Sequence, residues 1–187
     1  MRIFNSLKTR FRQSYTLRSF NYRLDSIVNS QWFDYPFGKT VRATKDIYLE
    51  LWENECKKTY QEIDNYELIS SKAINTKWLE NLALHTQVVI KKSPLCWQHG
   101  RVLYTTLSDW LDEHSKNEFP IITIFETGTA RGFSSLCMAK ALSDAERNAK
   151  IITFDVLPHS HKIYWNCIDD IEGPKSREEL LKPWHEL

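Results

Sequence analysis

The stretch that most limits what this chain can fold into is residues 121–155, IITIFETGTARGFSSLCMAKALSDAERNAKIITFD. It reads as strand, glycine turn, helix and strand. Ile121, Ile122, Ile124 and Phe125 follow Pro120 as a short apolar run, the pattern of a strand buried on both faces. The turn ETGTARG comes next, and then an apolar helical face of Phe133, Leu136, Met138, Ala139, Ala141 and Leu142, with Ser134 and Ser135 in the first turn. Asn148, Ala149 and Lys150 stop that helix. Ile151, Ile152 and Phe154 form a second buried strand ending on Asp155. A unit of this length closes as a right-handed parallel crossover, which sets the fold class as α/β. Ligands of such sheets bind outside the carboxyl ends of the strands, where Glu126 and Asp155 both stand.

The chemistry of that edge follows from residue type. Gly128 and Gly132 permit a tight turn and a close backbone approach that side chains would obstruct. Backbone N–H groups at the helix start form a partly positive rim. Two carboxylates beside the rim would repel a phosphate, and they suit a ligand with hydroxyls and a cationic end. Asp155 is placed to accept hydrogen bonds from a ribose diol, and Glu126 to face an ammonium directly or through water. A dinucleotide fold calls for G-x-G-x-x-G and a P-loop for G-K-[ST]; neither is present. The plain alternative is an αβ unit whose glycines only make a turn.

FETGTARGFSSLCMAKAL followed by IITFDVLPH resembles the first two motifs of class I S-adenosylmethionine-dependent methyltransferases. It is similar to the branch whose first motif reads E-x-G-T-x-x-G-x-S-S, members of which methylate hydroxyls on sugars, glycans and related small molecules. The resemblance covers residues 96–187. It implies a Rossmann-like methyltransferase fold in residues 93–187, preceded by a basic arm and a mainly helical region in residues 1–92. It implies S-adenosylmethionine as cofactor, contacted by Glu126, Gly128, Thr129, Gly132, Ser134 and Asp155, and a small-molecule or glycan acceptor. The family's sheet has seven strands, and only the first two are found here. The later strands normally bring the adenine-facing residue, the acceptor pocket and any base, so the catalytic residues stay unknown. The expectation is a truncated or split chain holding half of a cofactor site, with an open apolar strand edge and a two-stranded sheet marginal by itself. Two other function classes stand beside this one. The chain could be a non-catalytic fragment or binding module whose helical half docks a partner. It could also be a nucleotide-sugar or dinucleotide oxidoreductase, on fold analogy alone.

Composition narrows the partners. With 187 residues, 42% hydrophobic and 26% charged, the chain suits one domain of ordinary size with a helical extension. A net charge of +1 gives no surface for coating nucleic acid. Cys56, Cys96, Cys137 and Cys167 lie far apart without C-x-x-C, which fits reduced thiols in a cytoplasmic protein. No apolar run approaches the ~20 residues of a membrane span. Residues 1–24 hold Arg2, Lys8, Arg10, Arg12, Arg18 and Arg23 with no acidic residue, interleaved with aromatic and aliphatic side chains. Such a stretch reads as a transit peptide, as a basic helix on an anionic membrane surface, or as an arm packed on the body. The arm is the favoured reading, with the aromatic loop QWFDYPFGK as its anchor.

Between arm and central unit the pattern is helical. Thr44 caps a helix with Ile47, Leu51 and Cys56 on one face. Residues 60–74 are ambiguous, and residues 76–85 read as a short helix through Trp78, Leu79 and Leu82. Residues 87–92 form an extended link. Residues 101–114 carry an apolar stripe of Val102, Leu103, Leu107, Trp110 and Leu111, with His99 packing or capping near Gly100. Beyond Asp155, His159 and His161 read as ordinary loop histidines, with no accompanying carboxylates at metal-ligand spacing. Asp169, Asp170 and Glu172 read as a solvated turn ending at Gly173 and Pro174. Ser176 and Glu179 form a capping box that starts a last helix with Leu180 and Leu181.

Asp155 separates cofactor holding from scaffolding. If it holds a ribose diol as an exposed strand-end group, Asp155→Asn lowers cofactor affinity by about one to two decades and scarcely changes folding. The melting temperature and the cofactor dissociation constant of this one variant, measured together, decide between the roles.

Overall fold

Residues 35–181 are described, from a computed structural model; the basic arm 1–24, the start of the aromatic loop and residues 182–187 lie outside them. The chain divides into Met1–Phe37 and Gly38–Leu187, and the second unit carries every element named below. In order these are α1 (Lys45–Cys56), α2 (Gln61–Ser70), α3 (Thr76–Thr86), α4 (His99–Glu113), β1 (Ile122–Thr127), α5 (Phe133–Asp144), β2 (Ala149–Phe154), a 3-10 helix (Ile168–Glu172) and α6 (Arg177–Leu181). None of the described helices is long and apolar enough to cross a membrane.

The central unit forms as its periodicity dictates. β1 and β2 pair in parallel, from Ile122 opposite Ala149 to Thr127 opposite Phe154, with α5 as the crossover. The protein is therefore α/β. Two details differ from the sequence reading. α5 stops at Asp144, where Glu146 turns the chain at φ 51°, so Ala149 and Lys150 already belong to the strand. The sheet is also buried on one face only. Ile122, Ile124 and Ile151 pack against Leu111 and Leu142, whereas Phe125 and Phe154, on the other face, are 69% and 57% exposed. A two-stranded sheet has two faces, and the described helices cover only one.

α4 packs along α5, and its first turn decides how closely. Gly100 faces Phe133 and Cys137 so tightly that a Cβ there would stand 2.6 Å from Phe133 Cζ and 2.8 Å from Cys137 Sγ. The inward face of α4 is Gly100, Tyr104, Thr105, Ser108 and Leu111, while Val102 points outward. Of the predicted stripe, Leu107, Trp110 and Leu111 do pack in the core and Val102 does not, while Gly100 and Tyr104 meet α5. Tyr104 donates its hydroxyl to Asp144 Oδ2 at 2.8 Å, and burial pushes the Cys137 thiol up to about 12.

In α1 the outcome is similar. Tyr48 and Glu55 face inward, Leu51, Trp52 and Cys56 are partly covered, and Ile47 is exposed. Trp52 Nε1 donates to the Glu80 carbonyl at 2.8 Å, which fixes the helix against α3. α2 buries no residue. It is held instead by Arg101, which pairs with Glu67 and, at 2.7 Å, with Asp64. α3 starts at Asn75, whose side chain accepts from the Trp78 N–H at 2.9 Å, and it buries Leu79, Leu82 and Ala83. These helices share one core, centred on Tyr48, Leu82, Val88, Trp97, Phe133 and Leu136.

After β2 the chain is not the solvated turn its charges suggest. Asp170 is fully buried and accepts from the backbone N–H groups of Trp165 at 2.8 Å and Cys167 at 3.2 Å. Burial raises its pKa, and those N–H groups oppose the rise. The Asn166 side chain accepts the Ile90 N–H on Oδ1 at 3.1 Å and donates Nδ2 to the Ile90 carbonyl at 3.0 Å, pairing the extended link as a strand would.

Gly100→Ala tests the close contact between α4 and α5. Alanine favours a helix by about 1 kcal/mol over glycine. The added Cβ must displace an aromatic ring and a thiol packed beneath it. The expected outcome is a net loss of about 1–3 kcal/mol, seen as a melting temperature several degrees lower. An unchanged or higher melting temperature would mean that the two helices part without cost.

Candidate functional site

The site is the segment between β1 and α5 together with what reaches it. β1 delivers Glu126, whose carboxylate accepts the Ser135 hydroxyl from the first turn of α5. The Gly128 N–H donates to the Phe154 carbonyl at 2.7 Å, prolonging the parallel ladder past the strand end. Gly128 and Gly132 stand at φ +85° and +83°, where a side chain is strained. Between them Thr129 is buried and donates its hydroxyl to Thr153 Oγ1 at 2.8 Å, tying the turn to β2. Ala130 also takes a positive φ, of 44°. Ser134 is half-buried at the start of α5. All six residues expected to hold a cofactor therefore belong to one edge of the sheet.

Asp155 requires a correction. It is not an exposed strand-end carboxylate, because its side chain is only 6% exposed. Its Oδ2 accepts the Ala130 N–H at 2.5 Å, and its Oδ1 accepts the Leu157 N–H at 2.8 Å. The carboxylate shapes the glycine turn and the loop after β2 at once. Arg177 Nη2 lies 3.3 Å away, close enough for an ion pair but without hydrogen-bond alignment.

Two arginines that the sequence reading passed over hold the turn, one from within it and one from α6. Arg131, in the middle of the turn, donates Nε to the Thr86 carbonyl at 2.7 Å and Nη1 to the Trp165 carbonyl. Arg177, in α6, donates Nε to the Ala130 carbonyl at 2.8 Å and lies with its guanidinium carbon 5.6 Å from the Trp165 ring centre. An arginine among the small residues of a glycine turn was a readable signal. For Arg177 no spacing pointed to the turn.

α6 also lies over Gly132. Leu181 Cδ2 stands 2.7 Å from where a Cβ on that glycine would be. Leu181, Thr129, Gly132, Ser135, Ile151 and Thr153 line a cavity of about 200 Å³ between turn and helix. The predicted capping box positions α6. Glu179 N–H donates to Ser176 Oγ at 3.2 Å, and Glu179 Oε2 accepts the Ser176 N–H at 2.8 Å. Lys162, and then the Ser176 N–H, pull the Glu179 carboxyl down to about 2. A depressed carboxyl stabilises the fold above its ordinary value near 4.5, and this clasp fades as pH falls from there toward 2.

The histidines sort differently. His159 and His161 are exposed. His99 packs edge-on against Phe133, with ring centres 4.8 Å apart, and burial lowers its pKa. Among the described residues no group of three or more His, Cys, Asp or Glu is placed to hold a metal ion.

Replacing Asp155 now carries a stability cost. Asp155→Asn should lower stability by about 1–3 kcal/mol, because one N–H of the turn or loop loses its acceptor and Arg177 its counter-charge. Denaturant unfolding measures this, and a double-mutant cycle with Arg177→Met isolates the ion pair. A stability within error of the parent would return Asp155 to the role of a ligand group alone. Set beside protein-family models, curated proteins and solved structures, the chain matches none of them.

Proposed function

We propose that the chain is an S-adenosylmethionine-dependent methyltransferase of the Rossmann-like kind, acting on a hydroxyl of a sugar, glycan or related small molecule. One observation carries this reading. The glycine turn opens at the carboxyl edge of a parallel pair, with Glu126 and Asp155 at its rims and open space at Gly128. A Cβ built on Gly128 would meet nothing within 4 Å, so the φ of +85° serves an approach from outside and not internal packing. The donor set fits the cofactor better than it fits a phosphate. Glu126 would face the ammonium end, the backbone of Gly128 and Thr129 would border the ligand, Ser134 would stand at the helix start, and Asp155 would take the ribose hydroxyls in exchange for Arg177. When bound, the cofactor supplies a methyl group on a sulfonium; this chain contributes position and orientation.

A second reading, a binding module without catalysis, is favoured by the bare face of the sheet. Phe125 and Phe154 are each more than half exposed there, as in a surface that meets another layer. Calorimetric titration with S-adenosylmethionine beside NAD separates the readings. Heat with the methyl donor and none with NAD is expected. Heat with NAD alone turns the assignment toward an oxidoreductase, and no heat with either favours the binding module.

A further inference from the structure

Another cavity, of about 230 Å³, takes its apolar wall from Leu82 of α3, Leu136 of α5 and Leu180 of α6. Arg131, from the middle of the glycine turn, belongs to its polar wall. That side chain gives Nε to the Thr86 carbonyl at 2.7 Å and Nη1 to the Trp165 carbonyl, and both acceptors are neutral. A guanidinium has more N–H groups than these two bonds use, and both of those on Nη2 stay uncommitted among the described residues. Nη2 is not sealed off either, because the buried side-chain nitrogen without a partner is that of Arg177. No described carboxylate lies within ion-pair distance of Arg131, and burial works against its charge. A charge held away from water is costly until a counter-charge and further acceptors meet it.

The carboxylates at the cavity are placed differently, because each already has a donor. Asp169 accepts from His85, whose Nδ1 stands 3.0 Å from both of its oxygens. Glu172 accepts from Lys175 at 2.6 Å, and Glu179 is held by Lys162 at 2.6 Å and by the Ser176 N–H at 2.8 Å. Lys175 uses one N–H on Glu172 and keeps others. Donors are therefore in surplus on this wall, and an occupant has to bring acceptors with a negative charge. A phosphate would carry a second charge toward the carboxylates and no surface for the leucines. A carboxylate carries one charge, and its two oxygens match a guanidinium fork. The leucines call for an apolar body behind it. A volume near 230 Å³ falls under the ~300–1,000 Å³ of pockets for drug-sized ligands, which limits that body to about one ring or a short chain.

We propose that this cavity binds a small monocarboxylic acid, its carboxylate on Arg131 and its apolar body against Leu82, Leu136 and Leu180. The site stands independently of the methyltransferase reading. Arg131 fastens the glycine turn to the end of α3 and to the loop before the 3-10 helix. A bound acid supplies the counter-charge inside that fastening, so it stabilises the folded chain as its concentration rises.

The test titrates the full chain calorimetrically with benzoate, hexanoate, benzamide and inorganic phosphate at one ionic strength. Benzoate or hexanoate should bind about tenfold or more tightly than benzamide, which keeps the ring and lacks the charge, and should raise the melting temperature. Phosphate should not bind. Proton–nitrogen NMR of the Arg131 guanidinium should show its resonances moving as the acid is added. Leu180→Trp, which fills the apolar part of the cavity and leaves Arg131 in place, should abolish acid binding with the melting temperature retained. Saturating S-adenosylmethionine should leave benzoate binding unchanged. Binding of neither acid, benzamide as tight as benzoate, phosphate in place of the acids, or an Arg131 signal that stays put while an acid binds overturns the site, and these readings need only the unaltered chain. Displacement of benzoate by S-adenosylmethionine overturns it too, by making the cavity part of the cofactor site. Acid binding without methyl-donor binding keeps the site and removes the methyltransferase reading, so the two failures give different results.

Discussion

A guanidinium placed beneath the glycine turn is the constraint on which the surrounding structure depends. Burial weighs against the charge of Arg131, while Cys167, Asp170 and Asp169 nearby favour it. Such a charge is tolerated only where its N–H groups find acceptors in fixed positions. Here the acceptors are the carbonyls of Thr86 and Trp165, one at the end of α3 and one in the loop before the 3-10 helix. The turn is thereby fastened to the N-terminal helices and to the C-terminal segment through one side chain. Asp170, by gathering the N–H groups of Trp165 and Cys167, keeps that loop in the shape that presents the carbonyl.

The same economy appears at Asp155, where scaffold and site coincide. Its carboxylate satisfies the Ala130 N–H, in a turn that already holds Ala130 at a positive φ, and the Leu157 N–H beyond the strand. A residue in this backbone region persists only where its surroundings over-determine it. Asp155 from one side and Arg177 Nε from the other provide that. A ligand that competes for the carboxylate therefore acts on the turn and on α6 together.

The sheet is asymmetric, and the asymmetry has a simple cause. α4 and α5 meet one face of the strands through Leu111 and Leu142, drawn close by the absent side chain at Gly100. The opposite face carries Phe125 and Phe154 in the open. Alternation along a strand sends successive residues to opposite faces, so apolar residues on both sides mark a strand meant to be covered twice.

What was legible in the sequence is what local rules decide. Alternating and helical apolar spacing placed β1, α5 and β2. Paired glycines placed the turn, and Ser176 with Glu179 placed the start of α6, because each depends on residues within a few positions of one another. α2 was ambiguous for a physical reason: it buries nothing and is held by ion pairs to Arg101, which leave no periodic trace. The full inward face of α1 and α4 was beyond reach as well. Which residues of an amphipathic helix face inward is settled by the shape of the neighbour, and α4 turns Gly100 toward α5 and buries Thr105 and Ser108 while Val102 stays out. Asp155 and Asp170 make the same point with charge. By type, carboxylates belong at the surface, and only the arrival of distant backbone N–H groups converts them into buried anchors. The sequence by itself thus determined the αβ unit and the edge at which its glycines open. The tertiary structure decided which charges are free to meet a ligand, because burial and partner geometry are set by segments far apart in the chain.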